Sequence, residues 1–332
     1  MRNFLFAWLI LMVTNLYSQD QYTPDNFTFT KKMRVIVDND FSGDPDGLFQ
    51  LVHLLRSPSV DIRAIIGSHV SVNDFIDPTE RQAENAANKA REILKLMNLT
   101  DIAVLTGSNV AMQNDSSPVK DAAVDFIIKE ALRTDTKLPL YILCGAGLTE
   151  VASALLTNSA IENKFTLVWI GGPEYKDIAL PPPRASKVEY NLNIDKAAAS
   201  VVFNHSNVNM WQVPRDAYRQ AIIPFSQLLL NVKSKGDIGD YLYQQLLQLM
   251  KKLGKIDETY ILGDSPLVLL TALQTYFEPD PASSSYHIKK APYINMEGQY
   301  EDNPRGRNIR VYHKLDIHLM LNDFFAKLEL YQ

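Results

Sequence analysis

Val35-Ile36-Val37-Asp38-Asn39-Asp40-Phe41-Ser42-Gly43-Asp44-Pro45-Asp46-Gly47 joins a β-branched run of three residues to four carboxylates within nine positions. Val-Ile-Val is the composition of a strand buried on both faces. Beyond Gly47 the apolar residues Leu48, Leu51, Val52, Leu54 and Leu55 recur at helical spacing. The acids therefore occupy a tight turn between the carboxyl end of a buried strand and the start of a helix. Open α/β sheets bind ligands at that place.

Four aspartates in one turn repel one another, and neutralising them by desolvation alone costs several kcal/mol. A hard divalent cation converts that repulsion into oxygen coordination. The plainer alternative is a solvated acidic loop in which Asp46 caps the helix. A buried strand directly before the acids favours the cation.

Outward from this turn the pattern alternates. Asp61 to Gly67 is a second buried strand, completing strand–helix–strand in about 35 residues, a unit whose crossover is right-handed. Helices are expected at Thr79–Met97, Asp121–Leu132, Leu148–Leu156 and Asp195–Asn204, with strands at Ile102–Leu105, Leu138–Leu143, Phe165–Ile170 and Val208–Val213. Later candidates are helices at Gly239–Leu253, Ser265–Phe277 and Leu315–Leu328 and a last strand at Ile309–Tyr312. Residues 173–188 and 283–306 read as loops. The expected fold class is α/β, a single domain over residues 33–330 with a mostly parallel central sheet flanked by helices.

The chain of 332 residues is 46% hydrophobic and 21% charged with formal net charge −5, a balance that argues against a nucleic-acid partner. Met1–Ser18 reads as a secretory signal: Arg2 opens it, Phe4–Val13 is an apolar run too short to span a bilayer, and Leu16-Tyr17-Ser18 offers a cleavage site. Residues 19–32 read as a loose mature N-terminus. Cys144 is the only cysteine, which excludes an internal disulfide and a cysteine-borne lipid anchor. The expectation is an exported protein, periplasmic or secreted, that keeps no membrane segment once the signal is removed.

With these landmarks placed, the chain resembles the inosine–uridine preferring nucleoside hydrolases. Asp38-Asn39-Asp40 resembles that family's opening Asp-x-Asp. Ala146-Gly147-Leu148-Thr149-Glu150 resembles its Gly-Pro-Leu-Thr-Asn turn, and Trp169-Ile170-Gly171-Gly172 its Met-Gly-Gly strand end. Glu189-Tyr190-Asn191, followed by Asp195-Lys196-Ala197-Ala198, resembles its Glu-Phe-Asn and Asp-Pro-Glu-Ala-Ala. Gly263-Asp264-Ser265-Pro266 resembles its late His-Asp-Pro.

The resemblance implies a Rossmann-related nucleoside hydrolase fold and hydrolysis of the N-glycosidic bond of a nucleoside or related riboside. It implies one calcium ion and a water deprotonated by Asp40. The implied metal ligands are Asp40, Asp264 and a main-chain carbonyl at Gly145 or Cys144, and the acidic turn adds Asp38 and either Asp44 or Asp46 as candidates. The implied substrate contacts are Asp44, Glu189, Asn191 and Asp264, and His69 joins them from its position beside the acidic turn.

Two positions depart from the family pattern. Pro45 stands where the second acid of an Asp-Asp pair belongs, leaving Asp46 one residue late. Gly263 replaces a histidine linked to protonating a purine leaving group.

Rivals are weaker. An aspartyl-phosphate phosphatase needs threonine or valine where Ser42 stands, and an EF-hand needs glutamate where Phe49 stands. The non-enzymatic alternative is a catalytically weak protein of the same fold that binds a nucleoside or sugar. A homo-oligomer is compatible with the sequence.

Overall fold

A computed structural model describes residues 29–273 and 283–330. The segment read as a signal, most of the loose N-terminus and the end of the helix expected at Ser265–Phe277 lie outside the described residues. Among the described residues no helix is long and apolar enough to cross a membrane.

The strands are β1 (Met33–Asn39), β2 (Val60–Gly67), β3 (Val104–Thr106), β4 (Leu140–Cys144), β5 (Phe165–Ile170), β6 (Asn209–Val213), β7 (Ile222–Pro224), β8 (Thr259–Ile261), β9 (Ser285–Lys290), β10 (Tyr293–Ile294), β11 (Tyr300–Glu301) and β12 (Asn308–Lys314). The helices are α1 (Asp46–Leu55), α2 (Gln82–Leu96), α3 (Ala122–Ala131), α4 (Thr149–Thr157), α5 (Tyr190–Ile194), α6 (Lys196–Asn204), α7 (Arg215–Tyr218), α8 (Phe225–Leu228), α9 (Gly236–Leu253), α10 (Pro266–Leu269) and α11 (Ile317–Leu330).

Eight strands form one sheet in the order β3-β2-β1-β4-β5-β6-β12-β9, parallel throughout except for β9 at the edge. Successive side chains on a strand face opposite sides, and the core divides accordingly. Val35 and Val37 join α1, α2, α9, α10 and α11 in one apolar layer. Ile36 joins α3, α4 and α6 in the other. β5 does the same, with Val168 and Ile170 on the first side and Phe165, Leu167 and Trp169 on the second. The chain leaves β1 toward β2 on one side and returns at β4 on the other. A crevice must therefore open at the carboxyl ends of β1 and β4.

The late region differs from the sequence reading. Residues 283–306 contain β9, β10 and β11, which their mixed polar composition hides; β9 is an antiparallel edge strand whose residues are mostly half-exposed or exposed. The helix expected from Ser265 forms only the short α10 within the described residues.

Candidate active site

The turn after β1 folds on itself through Gly43 N–H donating to the Asp40 carbonyl at 2.7 Å. Pro45 supplies a helix-compatible φ of −67° ahead of α1, so Asp46 becomes its first residue. Asp46 Oδ1 accepts the Gly47 N–H at 2.9 Å and Oδ2 accepts the Asp264 N–H at 3.1 Å. A carboxylate at this end of a helix gains from the dipole. Asn39 Nδ2 donates to Asp264 Oδ2 at 2.9 Å, while its Oδ1 accepts the Asp40 N–H at 2.9 Å. Gly47 and Gly145 make room for that amide: a Cβ would stand 2.9 and 2.5 Å from Asn39 Nδ2.

Asp40, Asp44, Asp46 and Asp264 thus share one region. Asp40 is held well above the usual carboxylate range by burial first, then by the charges of Asp264, Asp44 and Asp74. Asp46 is raised in the same way, by burial and then by Asp264, Asp44 and Asp40. Asp264 is pushed up to about 7 by burial, against the pull of the Asn39 amide, with Asp44 and Glu189 adding to the rise. Asp44 is pushed up to about 6, again by burial first, and is restrained by the Tyr260 phenol that donates to its Oδ1. Asp44 has an exposed side chain at the rim although protein crowds it, so solvent screens its shift more than those of Asp40 and Asp264.

The charges that bear most on these acids are those of other carboxylates. As a donor set they suit a hard divalent cation. Among the described residues, however, no three His, Cys, Asp or Glu side chains are drawn together into a cluster that could already hold a metal ion.

Glu189 is buried and fixed by three donors: Gly172 N–H at 2.8 Å and Leu192 N–H at 3.1 Å to Oε2, and the Tyr218 hydroxyl at 2.9 Å to Oε1. Asn191 Nδ2 donates to the carbonyls of Gly145 at 2.9 Å and Ile170 at 2.8 Å, tying the ends of β4 and β5 together. Asn191 Oδ1 stays available as an acceptor.

Two of the expected site residues, Asp38 and His69, are held by partners other than these four acids. Asp38 is fully buried, accepts from Ser68 Oγ, and lies 3.9 Å from Cys144 Sγ. Its carboxyl, pushed up to about 7 by burial, responds to Asp121 rather than to the four site acids. His69 presents Nδ1 to the Ser108 carbonyl at 3.1 Å. A carbonyl only accepts, so Nδ1 carries the proton and the buried Nε2, which has no partner, is an acceptor. Burial lowers the pKa of this imidazole, against the nearby Asp195. Cys144 is buried with its thiol pushed well above the usual range, as expected for a core residue.

Sequence reasoning passed over Asn39, Tyr218 and Tyr260. Their only signals are polar or phenolic groups beside acids that lie far away in the chain. A cavity of about 970 Å³ is lined by residues such as Tyr175, Lys289 and Tyr300 and includes none of the site acids.

A family model described as "Inosine-uridine preferring nucleoside hydrolase" matches residues 35–317. Among solved structures, the purine-preferring ribonucleoside hydrolase from Gardnerella vaginalis is 18% identical, with a TM-score of 0.65 over 90% of this chain and 99% of that one. The inosine-uridine preferring nucleoside hydrolase from Bacillus anthracis is 17% identical over the same shares, with a TM-score of 0.62. An inosine-guanosine nucleoside hydrolase is 16% identical, also over 90% and 99%, with a TM-score of 0.67. At these identities the likeness is one of fold. No curated protein sequence matches.

Proposed function

The chain belongs to the inosine-uridine preferring nucleoside hydrolase family, glycosidases of N-glycosidic bonds, and from that membership we propose that it hydrolyses a nucleoside or related riboside with Asp40 as the base. The observation that carries this reading is the meeting of Asp40, Asp44 and Asp46 with Asp264, 218 residues beyond Asp46, at the crevice between β1 and β4.

Asp40, Asp46 and Asp264 are the residues that would hold calcium, with the Gly145 carbonyl as a further ligand through the lone pair that Asn191 leaves free. When bound, calcium supplies positive charge that keeps these carboxylates ionised and polarises the attacking water. Asp40, kept ionised in this way, would be the carboxylate that takes the proton of that water. Asp44 at the rim, Glu189 and the free oxygen of Asn191 meet the ribose hydroxyls and hold the anomeric carbon in line. Cleavage passes through an oxocarbenium-like state, which the fixed negative charge of Glu189 and the site aspartates favours over the neutral ground state. Asp38 plays no direct part in this scheme.

Release of free ribose from inosine and from p-nitrophenyl riboside, by protein supplied with calcium, tests the proposal. Turnover lost in Asp40→Asn supports it. Binding of inosine without turnover in the wild type would instead make the protein a nucleoside or sugar binder of the same fold.

A further inference from the structure

A hydrogen bond also spans the crevice from side to side. The Tyr190 hydroxyl donates to Asp74 Oδ2 at 2.6 Å, 116 residues away. Tyr190 follows β5 and Asp74 follows β2, and between those strands the sheet places β1 and β4. The bond therefore bridges three inter-strand steps, roughly 14 Å, over the strand ends that carry Asp40 and Gly145.

Both ends of the bridge are built. Tyr190 lies between Glu189 and Asn191, whose side chains are bound to the ends of β4 and β5, so its backbone is fixed while its ring stays 44% exposed. Asp74 Oδ1 accepts the N–H groups of Ile76 at 2.7 Å and Asp77 at 3.1 Å, which organises its own loop. The base of that loop is pinned by one buried amide: Gln82 Nε2 donates to the carbonyls of Ser71 at 3.2 Å and Asp77 at 2.8 Å. The tip between those anchors carries Val72 and Phe75, 81% and 55% exposed. Lys252 Nζ lies 4.8 Å from the centre of the Phe75 ring and donates to the Ile76 carbonyl at 3.1 Å, a second tie that holds one side of the tip to α9. The exposed Val72 side chain suits a heterocyclic base rather than a sugar.

We propose that the Tyr190–Asp74 hydrogen bond is a strap across the crevice mouth, that segment 71–77 is the lid it fastens, and that a base-bearing riboside enters by opening it. This rests on the nucleoside hydrolase reading of the site and adds the residues that gate its substrate. A ligand that must open the strap pays for the closed fraction of the protein, so its apparent affinity is weaker than its intrinsic one. Free ribose, small enough to lie on the carboxylates below, does not.

Tyr190→Phe keeps the ring and removes the strap, whereas Asp74→Asn keeps an oxygen for Ile76 and Asp77 and weakens it. Two measurements test the strap: steady-state kinetics on inosine with D-ribose as inhibitor, and backbone hydrogen exchange of segment 71–77. In Tyr190→Phe the KM for inosine falls roughly tenfold at constant kcat and constant ribose inhibition, the size of one hydrogen bond to a charged group. Exchange in segment 71–77 accelerates while the Tm holds. Asp74→Asn lies between the two. An unchanged KM, or a kcat that falls in its place, overturns the strap. If the wild type hydrolyses neither inosine nor p-nitrophenyl riboside, the reading of the site fails by itself. The strap then stands on accelerated exchange in Tyr190→Phe and falls if exchange is unchanged.

Discussion

Asn39 Nδ2 donates to Asp264 Oδ2, so the middle residue of Asp38-Asn39-Asp40 holds a carboxylate that arrives 225 residues later. That amide is the neutral link in a ring of acids. It lowers the cost of keeping Asp264 ionised while the surrounding aspartates raise it.

The link depends on the space left by Gly145, where a Cβ would come within 2.5 Å of Asn39 Nδ2 and 2.6 Å of its Oδ1. Gly145→Ala therefore displaces the Asn39 amide. Overpacking of this kind costs typically 1–3 kcal/mol. The expected outcome is a measurable fall in Tm together with at least a roughly tenfold loss in kcat/KM. Normal kinetics in Gly145→Ala would show that the Asn39–Asp264 bond does not organise the site.

Pro45 withholds a carboxylate where the family pattern has one, and α1 starts at Asp46 instead. Asp46 meets the Asp264 N–H, whereas Asp44 meets the Tyr260 phenol. Asp46→Asn is expected to weaken calcium binding by at least roughly tenfold, about 1.4 kcal/mol. Asp44→Asn and Tyr260→Phe are expected to act mainly on KM. Calorimetric titration of each variant with calcium, beside its kinetics, separates the two roles. Equal calcium affinities in Asp46→Asn and wild type would reduce Asp46 to a helix cap.

The raised pKa values of Asp40, Asp44, Asp46 and Asp264 fix the sign of a pH effect. Without metal, the folded protein binds more protons here than the unfolded chain, so acidification from pH 8 toward 6 stabilises it. A cation needs the ionised forms and competes with those protons. The rise in Tm on adding calcium is therefore expected to be larger at pH 8 than at pH 5.5. Melting curves with calcium and with chelator at the two pH values check it.

How much of this was visible in the chain follows from how far each signal reaches along it. Val35-Ile36-Val37 and Phe165–Ile170 declare buried strands because both faces of each are apolar. The acidic turn declares itself because its charges are adjacent. Asn39 carries no such signal: its role exists only once α10 brings Asp264 beside β1. Tyr260 reaches Asp44 from β8, a three-residue strand too short for periodicity to mark. Asp38 looks equivalent to Asp40 in sequence, and only the packing of Ser68 and Cys144 against it sets the two apart. β9 reads as loop in the sequence because Ser-Tyr-His-Ile-Lys-Lys has the polarity of a protected sheet edge.

A second pH effect lies behind α1. His53 is buried, its Nε2 donates to Asp323 at 2.7 Å, and Asp323 also pairs with Lys327 at 2.5 Å on α11. Burial drives the imidazole pKa from 6.5 down to about 4. The unfolded chain therefore binds the extra proton between those values. Stability from this group is fully present above pH 6.5 and is lost as pH falls toward 4, by an amount on the order of 3 kcal/mol. The site acids pull the other way, so the effect is read as a difference. His53→Leu, compared with wild type in urea titrations at pH 7.5 and 4.5, is expected to lose less stability on acidification. Parallel profiles would count against the assignment.

The last prediction concerns departure of the base. Gly263 occupies the position of a histidine that could protonate it, and the nearest groups are Asp46, which bound calcium would keep ionised, the ring of Tyr218 and the side chain of Ile261. His69 does not fill the gap as it stands, because its proton is committed to the Ser108 carbonyl and Nε2 only accepts. General-acid assistance is typically worth roughly 10²–10⁴-fold. The protein should therefore favour substrates whose leaving group departs without a proton and discriminate weakly among purine nucleosides. p-Nitrophenyl riboside, which expels a phenolate, is expected to exceed inosine in kcat/KM by a factor within that range. Equal values for the two would require an acid at the site. His69→Gln would then be the first variant to measure, since a flipped imidazole tautomer could offer its proton from Nε2. A selective loss of inosine turnover in His69→Gln would identify that acid.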